Sequence, residues 1–160
     1  MKVKIGFGFD VHKLEKGGEL WLGGIKIPAE KGAVGHSDAD VLIHAICDAI
    51  LGALNLRDIG YHFPDTDPAY KNIQSTKLLS EVCRMADEKG YSISNIDSTV
   101  SLEKPKIADY IPSMKQALAS VTKLTEEDIS IKATTTEKLG FTGRQEGIAA
   151  YSVVLIKKNT

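Results

Sequence analysis

The sequence predicts an α+β fold: a mixed sheet of a four-stranded type with helices packed on one face. Three observations carry that expectation. Apolar residues recur with period two in some stretches and near period 3.6 in others, so strands and helices share one chain. The two kinds do not alternate strictly, which disfavours a parallel βαβ wind. The chain has 160 residues, enough to bury a core without staples, and shows no repeat or low-complexity linker, so 1–160 reads as one domain.

The elements follow in order. Lys2–Phe9 alternates Val3, Ile5, Phe7 and Phe9, a strand in which Gly6 and Gly8 allow another backbone or ligand to approach closely. Leu20–Ile27 reads as a second strand with a glycine turn or bulge inside it. Glu30–Gly35 reads as a turn-rich loop. Ser37–Leu54 is the clearest helix, with Ser37 or Asp38 as N-cap, a capping-box-like Ser37-x-x-Asp40, and a wide apolar face from Val41 to Leu54. Asp58–Pro68 is a loop dense in Pro, Gly and Asp. Ser75–Lys89 is a second amphipathic helix closed by Gly90. Ser92–Leu102 is a strand, and Ile111–Leu124 is a helix with Pro112 in its first turn. A turn at Thr125–Asp128 leads to strands at Ile129–Thr134 and Gly147–Lys157.

Composition removes several classes. The formal charge is -1 at pH 7, which announces no polyanion-binding surface, so no nucleic acid is expected as partner. No apolar run approaches the length of a membrane span, so no membrane association is expected. Cys47 and Cys83 form no C-x-x-C pair and lie in apolar helical patterns, as buried free thiols of a reducing compartment do. The N-terminus lacks a leader pattern, so a bacterial-type cytoplasmic location is expected, or a plastid-type organelle if a leader was removed.

The chemistry-bearing residues fall into three groups. Asp10 and His12 are two apart on an extended segment and so share a face. A carboxylate and an imidazole together suit a borderline-soft divalent cation. Asp40, His44 and Asp48 are spaced i, i+4, i+8 and form a stripe, which a solvated helix face would equally explain. Alternatively His44 is a third ligand, with Asp48 or Asp40 fixing its tautomer. Three protein ligands leave one tetrahedral position open, the pattern of a catalytic zinc. The third group is Ala133–Arg144, whose three threonines and loop N–H groups are suitable donors to phosphate. Glu137 there suits a hard cation such as Mg²⁺, though a polar turn explains the same residues. No P-loop and no G-x-S-x-G elbow occurs.

The stretches GFGFDVH, GHSDADVLIHAICDAILGAL, DIGYHFPDTDP, EKPKI and KATTTEKLGFTGRQEGIA run from residue 6 to residue 149. Together they resemble the 2-C-methyl-D-erythritol 2,4-cyclodiphosphate synthases of the non-mevalonate isoprenoid pathway. The resemblance implies a phosphorus–oxygen lyase that converts 4-diphosphocytidyl-2-C-methyl-D-erythritol 2-phosphate to the cyclic diphosphate and releases CMP. It implies Zn²⁺ held by Asp10, His12 and His44, and Mg²⁺ or Mn²⁺ held by Glu137 on the substrate diphosphate. It makes His36 and Thr135 transition-state stabilisers. Ser37, Asp58, Ile59, Gly60, Phe63, Pro64, Asp65, Thr66 and Asp67 would grip the erythritol phosphate, and Asp10, His12 and His36 would also contact the substrate. Leu102, Glu103, Lys104, Pro105, Lys106, Ile107 and Ala108 would form the cytidine-diphosphate side with Thr134, Thr135, Thr136 and Glu137, and Phe141 and Arg144 would also contact the substrate. Backbone recognition of the base would tolerate variable side chains there, so Lys106 need not be a specific contact.

The resemblance further implies a homotrimer with active sites at subunit interfaces. Phe7, Phe9, Ile148 and Tyr151–Ile156 would supply apolar surface around the threefold axis. Arg144 and Glu146 flank Gly147 near it. A ring of three Arg144 side chains would bind an anion such as an isoprenoid diphosphate, while a surface salt bridge is the plainer role. Two other readings of the same residues stand beside the cyclase: a zinc-dependent phosphate-ester hydrolase, and a non-enzymatic regulator that binds an isoprenoid diphosphate.

Overall fold

The computed structural model describes residues 2–160. Its sheet has five strands in the order β4-β1-β7-β5-β6. These are β1 (Val3–Lys16), β4 (Lys31–Val34), β5 (Tyr91–Ser101), β6 (Ile129–Thr134) and β7 (Gly147–Lys158). All neighbours are antiparallel except β5 and β6, which run parallel. A separate hairpin joins β2 (Leu20–Leu22) to β3 (Ile25–Ile27). The helices are α1 (Val41–Ala53), α2 (Ile59–His62), α3 (Ser75–Glu88), α4 (Ile111–Thr122) and α5 (Gly140–Gly143), with short 3₁₀ turns between them.

The strand β1 decides the architecture. Its odd-numbered residues Val3, Ile5, Phe7, Phe9 and Val11 are exposed, whereas Gly6 and Gly8 are buried on the other face. A Cβ on Gly6 would lie 1.7 Å from the Ala49 carbonyl oxygen, and one on Gly8 would lie 1.8 Å from that of Ala45. Only glycine lets α1 rest this close to the strand. Two strand residues thus match four helix residues, since both spans are about 6–7 Å. Continuing the row brings Asp10 and His12 beside the first turn of α1, where His44 stands.

The core fills the space between this sheet face and the helices. Ten α1 residues are buried, because the helix is enclosed by β1 and β7 on one side and α3 on another. Met114 and Leu118 of α4 join the same cluster. Among the described residues, no helix is long and apolar enough to cross a membrane.

The structure revises several sequence-based expectations. The sheet has five strands rather than four because Lys31–Val34 pairs with Lys13–Lys16 at the edge. That pairing depends on a distant partner, and the local turn residues hide it. The first strand runs on to Lys16, so Asp10 and His12 lie inside it. Leu20–Ile27 is a two-stranded hairpin turning at Gly23–Gly24. Within Asp58–Pro68 the chain forms the short α2, and Pro68 opens a 3₁₀ turn. The N-cap of α1 is Asp40, which is fully buried and accepts from Ile43 N at 3.0 Å. It also accepts from Gly23 N at 3.0 Å and Gly24 N at 2.7 Å, so it clamps the hairpin to the helix. Ser37 and Asp38 precede the helix and do other work. Ile148, Val154 and Ile156 are core residues of β7, so the exposed apolar surface there comes from Tyr151 and Val153.

Candidate active site

Three side chains converge where β1 meets α1. Asp10 Oδ2 is 3.0 Å from His12 Nε2 and 3.2 Å from His44 Nδ1, and the two ring nitrogens are 3.1 Å apart. Tetrahedral zinc with bonds of about 2.0–2.2 Å spaces its ligands about 3.3–3.6 Å apart, a few tenths of an ångström wider than this triangle. The donor set fits as well as the geometry. His12 Nδ1 donates to the Val34 carbonyl at 3.1 Å, so that once the ring is neutral its Nε2 lone pair faces the centre. Among the described residues this is the one group of three such side chains able to share a metal ion.

The electrostatics show the same tension. Burial raises the Asp10 pKa, but hydrogen bonds and opposite charge from His12 and His44 outweigh it and hold the carboxyl at about 2. Burial lowers the His12 pKa, but Asp10 beside it wins and keeps the imidazole above its ordinary value. The cluster therefore holds a proton tightly until another cation replaces it.

The partners of His44 differ from the expected Asp48 or Asp40. Its Nε2 faces Ser75 Oγ at 2.9 Å and Ser37 Oγ at 3.1 Å. Asp48, one turn further along α1, instead accepts from Ile59 N at 2.7 Å. It pins α2 to the site, and burial raises its pKa. Asp40 is committed to its backbone donors. Spacing places Asp48 near His44, but the loop after α1 folds back and takes that carboxylate.

The triangle sits in the wall of a cavity of about 360 Å³. Val34, Gly35, His36, Ser37, Ile59, Gly60, Phe63, Asp65, Tyr70, Ile73 and Leu78 complete the lining. Of the residues expected around the erythritol phosphate, Asp58, Pro64, Thr66 and Asp67 lie outside it. Asp67 closes the loop, accepting from His36 Nε2 at 3.2 Å through its carbonyl. Tyr70, Ile73 and Leu78 escaped sequence reasoning because apolar or aromatic side chains in a loop and a helix carry no mark of a site. Ser75 escaped it because a helix-initiating serine has a sufficient local explanation.

The residues expected around cytidine diphosphate gather elsewhere. Leu102, Pro105, Lys106, Ile107, Ala108, Ala133, Thr134 and Thr135 line a second cavity of about 360 Å³. Glu103 and Lys104 turn instead to a third, of about 590 Å³, which also includes Lys31 and Gln145. Leu102 N donates to the Thr134 carbonyl at 3.0 Å. Glu103 Oε1 accepts from Thr136 N and Lys138 N, each at 3.2 Å, and so ties the two segments together. Glu137 is exposed in a left-handed conformation, and its N–H reaches Thr135 Oγ1 at 3.3 Å. Phe141 is half-exposed beside Gly147. Arg144 pairs with Glu146 through Nε at 2.9 Å and Nη2 at 3.2 Å, the plainer of its two expected roles. Neither cysteine offers a thiolate nucleophile. Burial pushes the Cys47 thiol well up and the Cys83 thiol up to about 12, so both stay protonated.

The YgbB family pattern matches residues 3–157. A 2-C-methyl-D-erythritol 2,4-cyclodiphosphate synthase of Parabacteroides distasonis is 65% identical over 158 residues, covering 99% of this chain and 98% of its own. The solved bifunctional IspDF of Campylobacter jejuni superposes with a TM-score of 0.94 at 44% identity. The match covers 98% of this chain but only 42% of that longer protein. The Plasmodium falciparum IspF, solved as a CDP complex, gives a TM-score of 0.87 at 33% identity, covering 99% of this chain and 97% of that one. The chain belongs to the YgbB family and, within it, is a relative of the 2-C-methyl-D-erythritol 2,4-cyclodiphosphate synthases.

Proposed function

We propose that this chain converts 4-diphosphocytidyl-2-C-methyl-D-erythritol 2-phosphate to 2-C-methyl-D-erythritol 2,4-cyclodiphosphate and CMP. The carrying observation is the Asp10–His12–His44 triangle, set in the wall of a cavity large enough for a sugar-alcohol phosphate. The substrate's 2-phosphate oxygen attacks the β-phosphorus of its own diphosphate. That P–O bond forms as the bond to CMP breaks, and CMP leaves with the electron pair. No enzyme nucleophile is needed, in keeping with the two protonated thiols. The protein's task is to bend the chain and neutralise charge.

The roles follow from position. Asp10, His12 and His44 would hold zinc, and Glu137 would hold Mg²⁺ or Mn²⁺ against the diphosphate. When bound, such ions polarise phosphate oxygens and offset the charge that builds up on them. Ser37 Oγ accepts from Ala39 N at 3.1 Å and faces His44, which leaves its own proton for a phosphate oxygen in the cavity. His36 and Thr135 would stabilise the transition state from the two sides. Asp48 keeps Ile59 and Gly60 in the cavity wall through its bond to Ile59 N. The Leu102–Ala108 and Thr134–Glu137 segments would grip the cytidine diphosphate, and the Plasmodium relative was solved with CDP bound.

The nucleotide side and the metal side line separate cavities in one chain, which supports sites completed between subunits. We read 1–160 as one synthase domain that assembles as a homotrimer. The exposed Ile5, Phe7, Phe9 and Val153 are the apolar surface such an assembly would cover. On that axis Arg144, released from Glu146, would serve an isoprenoid diphosphate. A cytoplasmic location suits this chemistry and substrate.

Incubation of the protein with the cytidyl substrate, Zn²⁺ and Mg²⁺, followed by mass spectrometry, tests the activity. Cyclic diphosphate and CMP in equal amounts are expected, with no water taken up. A linear product carrying solvent oxygen would establish the hydrolase instead, and binding without turnover would establish the regulator.

A further inference from the structure

The metal centre does not end at its three ligands. Ser75 is fully buried at the first position of α3, and its Oγ donates to Asp38 Oδ1. Asp38 Oδ2 accepts from Ser75 N at 3.0 Å, and Oδ1 also accepts from Asp40 N at 3.2 Å. An ionised carboxylate can only accept, so the single Ser75 hydroxyl proton is committed to Asp38. The Ser75 oxygen then has only lone pairs to offer His44 Nε2, 2.9 Å away. In its neutral form, the one that can bind a metal, His44 therefore carries its proton on Nε2, and Nδ1 is left bare toward Asp10 and His12.

We propose that Asp38 and Ser75 form a relay that selects the metal-binding tautomer of His44, and that both are positioning residues of the metal centre. The proposal rests on the reading of Asp10, His12 and His44 as ligands. The relay couples three elements: the loop before α1 supplies Asp38, α3 supplies Ser75, and α1 supplies His44. A ring held from both ends loses little freedom when a cation binds, and partners of this kind carry roughly 10–100-fold in metal affinity. Ser37 Oγ, 3.1 Å from the same nitrogen, shares the contact. It has no carboxylate behind it and so fixes no proton direction. An Asp38→Asn change keeps the shape but offers one oxygen for two sets of donors. If that oxygen meets Ser75 N, the amide NH₂ meets Ser75 Oγ, reverses the hydroxyl and favours the wrong His44 tautomer.

Zinc titration by chelator competition, with nitrogen-15 spectra of the metal-free imidazoles, tests the relay on Ser75→Ala, Asp38→Asn and His44→Ala. Circular dichroism confirms that each variant is folded. Ser75→Ala and Asp38→Asn are expected to weaken zinc binding by roughly 10–100-fold and to shift His44 away from the Nε2–H form. Wild-type affinity and an unchanged tautomer in both variants, with zinc lost in His44→Ala, would overturn the relay alone. Wild-type zinc affinity in His44→Ala would remove the metal centre itself and the relay with it.

Discussion

The two halves of the proposed site, one for metal and one for nucleotide, are built differently. The metal half is made of side chains on the sheet and α1: Asp10, His12 and His44 converge within 3.0–3.2 Å, and hydrogen bonds to Val34, Ser75 and Ser37 hold the rings. The nucleotide half is made of loops at the end of β5 and β6, joined by backbone pairing and by Glu103. Its surface is largely exposed, and Lys104, Lys106 and Glu137 point to no partner chosen in advance. On the proposed reaction, preorganisation lies where charge would be neutralised, and grip on the base would fall to backbone groups that complete their contacts when the ligand arrives.

Substitutions in the two halves should separate along this line. The largest effect is expected from His44→Ala or Asp10→Asn. Loss of a ligand removes several kcal/mol of charge stabilisation, so turnover should fall about a thousandfold with zinc lost in parallel. Metal analysis beside the rate assay checks this, and a variant that keeps both would merge the halves again.

A pH series gives the next effect. The raised His12 pKa means its contribution to metal-free stability is complete below its ordinary 6.5 and fades as pH rises through the folded value. The lowered Asp10 pKa contributes above its ordinary 3.8 and fades as pH falls through about 2. The contribution of this cluster to the metal-free protein should therefore peak between these ordinary values, at about pH 4–6.5. Zinc affinity should show the opposite trend, dropping about tenfold per unit as pH falls below the folded pKa of His12. Thermal melts with and without zinc would read both trends, and parallel curves would contradict the shared cluster.

Asp48→Ala tests the cavity wall without touching a ligand. A hydrogen bond to a charged acceptor contributes about 1.5–3 kcal/mol, so KM should rise about tenfold or more while zinc content stays constant. Zinc loss in this variant would restore Asp48 as the partner of His44. The smallest effect belongs to the nucleotide half: Lys106→Ala should change CDP affinity less than about fivefold, since its exposed charge is worth under about 1 kcal/mol. A larger loss would show that the base is read by side chains after all.

The contrast between the halves also governed what the sequence could reveal. Asp10 and His12 were legible because a strand puts alternate residues on one face. His44 was legible because it sits in a strongly periodic helix. Gly6 and Gly8 hinted at a close approach, and α1 supplies it. The relay through Ser75 was not legible, since it joins residues 31 and 37 positions apart and a serine opening a helix already has a local reason to be there. The stripe Asp40, His44, Asp48 misled for a related reason. Period alone put the three together, but the hairpin turn took Asp40 and α2 took Asp48. The edge strand Lys31–Val34 was hidden because its pattern follows from pairing with Lys13–Lys16 rather than from its own residues.

The central claim is that one cation sits among Asp10, His12 and His44, and crystals of the zinc-loaded protein test it most directly. Anomalous scattering at the zinc edge should give one strong peak within about 2.0–2.2 Å of Asp10 Oδ2, His12 Nε2 and His44 Nδ1, with the fourth position open to water or phosphate. A peak at another site, or one bound through His44 Nε2, would contradict the account.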